Sequence, residues 1–158
     1  MGEVLKRRLK QSKFSSNAQE AVLNLFVTSY HLRGKFEEIF VRYGITTPQY
    51  NVLRILKGVF PEGYPRCEII DRMIEPAPDV TRLVDKLIKE KLVERYSSDT
   101  DKRYSLTRIT KKGLKLLEDI LPEVQKLDAV INRKLSADEL SELSMLCEKI
   151  YGDELSSE

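Results

Sequence analysis

Residues 101–113 read DKRYSLTRITKKG and follow the polar run SSDT at residues 97–100. A charged turn therefore lies between two short segments, residues 92–96 and 104–109, whose patterns predict strands. Thr110 has the chemistry of an N-cap for a helix that starts at Lys111. The stretch predicts a two-stranded hairpin with a charged tip, directly followed by a helix.

Outside the hairpin, apolar residues recur at the three- and four-residue spacing of helices. Gly44 is suited to end the first helix, and Thr47 with Pro48 to cap and open the second. The predicted elements are helices 17–43, 47–58, 66–74 and 78–91, strands 92–96 and 104–109, and helices from 111 and from the capping box 136–139. In helix 66–74 we expect four buried side chains: Ile69, Ile70, Met73 and Ile74. This order predicts a winged helix-turn-helix domain, and its outer helices need a further surface to cover their apolar faces.

The composition is that of a folded, mostly helical protein. The chain has 158 residues, of which 41% are hydrophobic and 33% charged, with only 7 Gly and 6 Pro. No apolar run approaches the roughly 18 residues of a membrane span, and no secretory signal pattern follows the basic N-terminus. Two distant cysteines, Cys67 and Cys147, fit a reducing compartment. We expect a cytoplasmic protein without a membrane partner.

Charge is distributed unevenly, although the net charge is only +2. Residues 66–115 carry 13 basic and 9 acidic residues, whereas residues 134–158 carry 2 basic and 7 acidic residues. A middle segment that touches phosphate would explain this pattern, and so would ordinary variation of a solvated surface. The basic N-terminal residues, Lys6 to Lys13, favour a solvated helix extension over an arm that binds DNA.

Residues 79–91 form the helix with the clearest division into two faces. The apolar face consists of Val80, Leu83, Val84, Leu87 and Ile88. The polar face consists of Asp79, Thr81, Arg82, Asp85, Lys86 and Lys89. A plain amphipathic helix has the same periodicity, but the short helix before it and the hairpin after it favour a recognition helix. Thr81 and Arg82 then suit base edges, and Lys86 and Lys89 suit phosphates.

The hairpin tip allows two interpretations. Arg103 is placed to reach a minor groove, whose negative potential attracts guanidinium groups. Asp101, two residues earlier, would hold a neighbouring arginine in place by a charge-assisted hydrogen bond. The alternative is a polar hairpin that only contacts solvent.

Three segments in order resemble the MarR family of transcription regulators. Residues 101–113 are similar to the family's wing signature of Asp, any residue, Arg, a strand and Thr-x-x-Gly. Residues 44–56, GITTPQYNVLRIL, are similar to its second helix, and DVTRLVDKL at 79–87 with LVER at 92–95 to its recognition helix and first wing strand. The resemblance covers about residues 20–150. It implies a mostly α fold with a small hairpin wing.

The resemblance also implies a homodimeric DNA-binding protein, usually a repressor, on a pseudo-palindromic operator. Its domains would be residues 1–43 and 116–158 for dimerisation and 44–115 for DNA binding. By motif match, Arg103 would enter the minor groove with Asp101 as its support, and Thr81 with Arg82 would read bases. The full set of candidate DNA-binding residues is Arg66, Asp79, Thr81, Arg82, Lys86, Lys89, Asp101, Lys102 and Arg103. The prolines of the segment 75–78, EPAP, depart from the family pattern.

Other kinds of site receive less support from the sequence. Family members often bind small phenolic or anionic effectors, and the residues placed to line such a pocket are Tyr30, His31, Arg33 and Tyr50, with ordinary packing as the alternative. A single histidine and two distant cysteines predict no metal site, no cofactor and no catalytic triad. The two cysteines are expected to be core or half-buried thiols. A winged-helix protein-interaction module without DNA binding is the alternative function, because the net charge is low.

Overall fold

The computed structural model describes residues 2–75, 79–97 and 105–155, with side chains described as far as Gly152. The chain folds as two compact units, Met1–Ile120 and Leu121–Glu158. The helices are α1 (Glu3–Leu9), α2 (Asn17–Arg42), α3 (Thr47–Lys57), α4 (Arg66–Asp71), α5 (Val80–Lys89), α6 (Lys111–Asn132) and α7 (Ala137–Leu155). The strands are β1 (Tyr64–Pro65), β2 (Val93–Ser97) and β3 (Ser105–Ile109). The predicted fold class, a mostly helical winged helix-turn-helix chain, is confirmed.

The wing strands form the predicted antiparallel pair. Val93 lies opposite Ile109, and the register runs to Ser97 opposite Ser105. A third strand, β1, adds Tyr64 and Pro65 to the other edge of β3, which gives the order β1-β3-β2. This strand lies between the predicted helices 47–58 and 66–74, where the sequence predicted no strand. Proline is compatible with an edge strand because its missing N–H takes no part in the ladder.

Helix α4 is shorter than predicted, and two of the residues that were expected to be buried are exposed. It ends at Asp71, and Ile69 is its fully buried side chain. Ile70 is 41% and Ile74 84% exposed, so the prediction of burial was wrong for both. Ile74 follows the helix end, where the helical period no longer applies, and its N–H donates to the side-chain oxygen of Asn51 at 2.9 Å.

The basic N-terminal segment differs from the expected helix extension. Glu3–Leu9 forms the separate helix α1, and Lys10 ends it with a left-handed φ of 54°. Helix α2 then starts after Ser16, whose side chain accepts the Gln19 N–H. The basic residues therefore divide between a short helix and the connection that follows it.

The core of the first unit lies between the winged-helix elements. Its fully buried members include Leu53 and Leu56 of α3, Ile69 of α4, Leu87 of α5 and Ile109 of β3. Long helix α2 joins this core near its C-terminal end. There the Phe40 ring stacks on the Tyr50 ring with 4.2 Å between centroids. Aromatic packing thus connects the C-terminal part of α2 to α3, the first helix of the winged-helix elements.

Helix α3 begins with a reciprocal capping box. The Thr46 side chain accepts the Gln49 N–H, and the Gln49 side chain accepts the Thr46 N–H at 2.9 Å. The predicted cap, Thr47, was wrong by one residue, because Thr46 is the threonine that precedes a glutamine by three positions. The predicted box at Ser136 is confirmed, and the hydrogen bond from the Ser136 backbone lowers the pKa of the Glu139 carboxyl.

The sequence Thr110-Lys-Lys-Gly113 forms the junction between the end of α5, the start of β2 and the start of α6. The Thr110 hydroxyl donates to the Lys91 carbonyl at 2.8 Å and accepts the Gly113 N–H at 3.1 Å. The Lys112 ammonium donates to the Glu90 carbonyl at 2.7 Å. A Cβ on Gly113 would lie 2.3 Å from the Leu92 carbonyl oxygen and 2.7 Å from Ile109 Cγ1. The position therefore accepts only glycine without a backbone shift.

Replacing Gly113 with alanine should lower the free energy of unfolding by about 1–3 kcal/mol, because the added methyl overpacks against backbone. Urea unfolding at a fixed protein concentration measures the change. Gly34→Ala on α2 is the matched control. It adds the same methyl within a helix where nothing lies within 4 Å, so it should stabilise the protein by up to about 1 kcal/mol. Equal effects of the two changes would contradict the packing argument.

Candidate DNA-binding interface

Helix α5 presents two distinct faces. Val80, Val84 and Leu87 are buried, and Leu83 and Ile88 are half-buried, so the predicted apolar face is confirmed. The opposite face exposes Arg82, Asp85, Lys86 and Lys89. No described side chain forms a hydrogen bond or ion pair with the Arg82 guanidinium or with either lysine ammonium. The three cationic groups are therefore available to an external partner.

Asp79 caps the start of α5. Its Oδ1 accepts the Arg82 N–H at 2.9 Å, which satisfies one of the free donors of the first turn. A carboxylate at this position also interacts favourably with the helix dipole. Asp79 was predicted among the DNA-binding residues. In the structure its carboxylate fixes the first turn, and thereby the backbone that carries Arg82.

Thr81 is held by a residue of the preceding helix. Arg66, the first residue of α4, donates from Nη1 to the Thr81 hydroxyl oxygen at 2.9 Å. This contact joins two residues that were both predicted to bind DNA. Thr81 is half-buried, whereas Arg82 next to it is exposed. Of the predicted base-reading pair, Arg82 has the side chain with greater freedom to contact a base edge.

A second polar contact fixes α5 one turn later. Asp85 Oδ1 and Arg95 Nη2 lie 2.9 Å apart, which joins α5 to β2. With Arg66 and Thr81, Arg95 lines a cavity of about 290 Å³ that is also bordered by Ile69, Val84, Ser105 and Thr107. Sequence reasoning did not single out Arg95. The sequence feature that could have indicated a role for Arg95 is its place in the matched segment LVER. That Asp85 is its ion-pair partner can be read only from the structure.

Arg82 and Lys86 share a groove with the start of α3. Thr46, Gln49, Asp79 and Leu83 complete the lining of this cavity, which has a volume of about 300 Å³. The two basic residues are one helical turn apart, so their side chains lie on the same strip of α5. The capped N-terminus of α3 therefore borders the basic strip of the candidate recognition helix.

Cross-strand contacts stabilise the base of the wing. Arg108 of β3 donates from Nε to Glu94 of β2 at 2.7 Å, and its guanidinium lies 4.5 Å from the centre of the Tyr96 ring. The predicted wing residues Asp101, Lys102 and Arg103 lie outside the described residues. The described strands fix where this segment leaves and rejoins the sheet.

The four residues predicted to line an effector pocket occupy different environments. Arg33 lines a cavity of about 290 Å³ with residues of α3 and of the segment after α4, and its Nη2 lies 2.5 Å from Glu75 Oε1. Tyr30 is 73% exposed, and His31 is exposed as well. Tyr50 is half-buried under Phe40. Arg33 is thus the member of the predicted set that borders this cavity.

The two cysteines are free thiols in different environments. Cys67 is exposed, contrary to the expected burial, because it lies on the solvent side of α4 while Ile69 faces the core. Cys147 is half-buried, as expected.

Within the described residues, no group of three or more His, Cys, Asp or Glu side chains is arranged to hold a metal ion. No helix in that part of the chain has the length and apolar character of a membrane span.

A helix-turn-helix followed by a small antiparallel sheet defines the class of winged-helix domains. The crystal structure of a MarR transcription factor from Planctomyces limnophilus is 40% identical in sequence, with a TM-score of 0.65. The match covers 86% of this chain and 98% of that chain. A crystal structure of the S. aureus MepR–DNA complex shows the same fold, with a TM-score of 0.74 at 20% identity over 89% of this chain and 99% of that one.

Sequence comparison gives a consistent result over a shorter region. The HTH-type transcriptional regulator MhqR of Bacillus subtilis (strain 168) is 33% identical over 94 residues. The match covers 58% of this chain and 62% of MhqR, so it spans less than two thirds of that relative. No protein-family model matches the sequence. The likeness to the Planctomyces limnophilus protein over nearly its whole length shows that this chain belongs to the MarR family of transcription factors.

Asp79→Ala should lower the free energy of unfolding by about 1 kcal/mol, because it removes the N-cap of α5. Asp79→Asn is the matched control, since asparagine caps helices as well as aspartate does. Chemical unfolding followed by circular dichroism measures both changes. A loss of the same size in both variants would show that the negative charge, and not the capping hydrogen bond, is responsible.

Proposed function

We propose that this protein is a homodimeric, sequence-specific DNA-binding transcription regulator, most simply a repressor, that reads a pseudo-palindromic operator with α5. The observation that carries the proposal is the exposed strip of Arg82, Lys86 and Lys89 on a helix whose other face is buried. Membership of the MarR family supports it. So does the shared fold with MepR, which has been crystallised in complex with DNA.

The geometry of α5 suggests separate roles for its basic residues. Arg82 lies in the first turn, where recognition helices contact base edges, and a guanidinium can bind guanine with two hydrogen bonds. Lys86 and Lys89 lie further along the same helix and suit phosphates, where charge matters more than direction. By motif match, Arg103 of the wing enters a minor groove with Asp101 as its support. Thr81 and Arg66 then position α5 through their mutual hydrogen bond.

Exposed apolar stripes support the proposed homodimer. On α2, Val22, Phe26 and Tyr30 follow one another at four-residue spacing, and Phe26 is 68% exposed. On α7, Leu143, Leu146 and Ile150 form a second stripe, and Ile150 is 66% exposed. Contiguous apolar surface of this kind marks association sites. A two-fold dimer would present two copies of α5 to half-sites one DNA turn apart, about 34–36 Å.

The cavity beside Arg33 suits a small anionic or phenolic effector. A ligand carboxylate or phenolate would compete with Glu75 for the Arg33 guanidinium. Glu75 lies four residues before Asp79, which caps α5. Loss of the Arg33–Glu75 ion pair would therefore act on the segment that leads into the recognition helix, and release of DNA would follow.

DNA binding should depend on Arg82 and Lys86 in different ways. Fluorescence anisotropy with duplex DNA from upstream of the gene, at several salt concentrations, measures both. Arg82→Ala should weaken specific binding about 5- to 150-fold, the effect of one bidentate base contact. Lys86→Ala should reduce the slope of log affinity against log salt by about 0.9, the effect of one phosphate contact. Arg103→Ala in the same assay tests the wing.

Lys35→Ala is the charge-matched control, because it removes a lysine on α2 that is already paired with Glu38. It should leave both affinity and salt slope unchanged. Tight binding that neither Arg82→Ala nor Arg103→Ala affects would show that the reading residues are wrongly assigned. Failure of the wild type to bind any duplex at low salt would favour the alternative, a winged-helix module that binds another protein.

Replacing Phe26 with aspartate should convert the dimer to monomer, because it places a charge in the centre of the α2 stripe. Sedimentation velocity across a range of protein concentrations measures the change. Ile74→Asp is the matched control, since Ile74 is even more exposed but lies outside both stripes. A dimer that survives Phe26→Asp would remove α2 from the interface.

A further inference from the structure

One carboxylate lies among the cationic side chains on the outward face of α5. Asp85 comes three residues after Arg82 and four before Lys89, so the three side chains follow one another along the exposed side of the helix. The Asp85 side chain is 53% exposed. A carboxylate on a surface that approaches phosphates is unfavourable, because like charges repel. Attraction of DNA by Arg82 and the lysines therefore leaves the presence of this carboxylate unexplained.

The wing supplies the counter-charge for Asp85. Arg95 Nη2 lies 2.9 Å from Asp85 Oδ1. Arg95 is the central residue of β2, and its backbone lies opposite Thr107 of β3, which is only 5% exposed. The guanidinium therefore reaches α5 from a strand whose position is set by the sheet. The ion pair offsets the charge of Asp85 and restricts its side chain before any DNA is bound, which lowers the entropy cost of a contact to it.

Pairing with Arg95 leaves Asp85 able to accept a further hydrogen bond. An ionised carboxylate has about four acceptor positions on its two oxygens, and the ion pair is formed through Oδ1. In the major groove, cytosine and adenine are the bases that present an amino group as donor. Adenine also presents the N7 acceptor beside its amino group, and two acceptors repel each other. Cytosine is therefore the base that suits the Asp85 carboxylate.

The spacing of Arg82 and Asp85 fits neighbouring base pairs. Three residues of an α-helix span about 4.5 Å, and successive base pairs lie about 3.4 Å apart. Zinc-finger helices likewise contact successive bases with side chains about three positions apart. A guanidinium that binds guanine and a carboxylate that accepts from cytosine can thus lie side by side in one major groove.

We infer that Asp85, held by Arg95, accepts a hydrogen bond from the N4 amino group of one cytosine in each half-site, next to or one step beyond the base pair that Arg82 contacts. The inference rests on the proposed DNA-binding function and adds a negatively charged reader to it. Arg95 is then a positioning residue, which orients the carboxylate and offsets its repulsion by phosphates. Replacing that C·G pair with A·T should weaken wild-type binding about 5- to 150-fold.

Selection from a library of duplexes with a randomised central segment tests the inference. The wild type should select a C·G pair at the position that Asp85 contacts in each half-site. Asp85→Asn should select A·T there instead, because asparagine binds adenine at N6 and N7, and all other positions should stay the same. Asp119→Asn is the matched control, since Asp119 on α6 is similarly exposed at 48% and is paired with Lys115. It should select the wild-type sequence.

A change in the DNA identifies the contacted atom. In a selected duplex, 2-pyrimidinone replaces the cytosine and removes only its N4 amino group. Fluorescence anisotropy should show wild-type binding weakened about tenfold or more, the effect of one hydrogen bond to a charged group. Asp85→Ala should bind the two duplexes equally. This cycle of chain and DNA changes separates the contact from any general effect of the variant, and circular dichroism verifies folding.

The selected sequences distinguish a base-reading role from a bracing role. A switch from C·G to A·T at one position per half-site in Asp85→Asn supports the inference. The wild-type sequence selected by Asp85→Asn would overturn it, and so would an equal loss of preference at every position in the folded variant, since Asp85 would then only brace α5 against the wing. Equal losses from the 2-pyrimidinone duplex in wild type and Asp85→Ala would also overturn it. A wild type that selects no sequence would remove the proposed function itself, and the inference with it.

Discussion

The hydrogen bonds around Thr110 determine how helix α5, strand β2 and the start of helix α6 are placed relative to one another. The Thr110 N–H donates to the Leu92 carbonyl at 3.0 Å, and the threonine hydroxyl donates to the Lys91 carbonyl at 2.8 Å. Lys91 has a left-handed φ of 59°, so the chain reverses sharply at the end of α5. Gly113 then lets the first turn of α6 lie directly against the Leu92 carbonyl. Because these groups are backbone or close to it, a small shift at this junction would move three elements together.

Helix α5 is positioned by polar contacts at its edges as well as by its buried side. Asp79 holds its first turn, Arg66 holds Thr81, and Arg95 holds Asp85. Three of the residues in these contacts, Asp79, Arg66 and Thr81, were predicted from the sequence to contact DNA directly. They leave Arg82, Lys86 and Lys89 as the outward cationic set. A basic residue near a recognition helix can thus matter for binding without touching nucleic acid.

The sequence predicted the fold well where one local rule determines the structure. The periods of α2 and α5, the cap at Ser136 and the hairpin each follow from a few adjacent residues. Ile74 was wrongly predicted to be buried because apolar spacing does not show where a short helix ends. Ile70 was wrongly predicted because that spacing does not show which of two adjacent isoleucines faces the core. Strand β1 was not predicted because a segment of two residues is too short to show the alternation of polar and apolar side chains that marks a strand. Its pairing with Thr107 and Leu106 is also a long-range contact.

The candidate site could be predicted only in part, for the same physical reason. The outward face of α5 follows from its helical period, so Arg82, Lys86 and Lys89 were identified correctly as exposed. Whether a polar residue points to a partner in the same chain depends on elements distant in sequence. The contact between Arg66 and Thr81 spans 15 residues, and the pairing of Asp85 with Arg95 depends on the turn between helix and strand. Neither contact can be predicted from the spacing of residues along the sequence.

The small sheet has a composition that prevents its edges from acting as templates. Strand β1 is two residues long and contains Pro65, which has no N–H to offer to an incoming strand. Strand β2, at the other edge, carries Glu94 and Arg95, and both are already paired with side chains of the same chain. Short, charged and proline-containing edges are the usual protection against strand-to-strand aggregation. The wing can therefore be exposed to solvent at high protein concentration without recruiting other chains into a growing sheet.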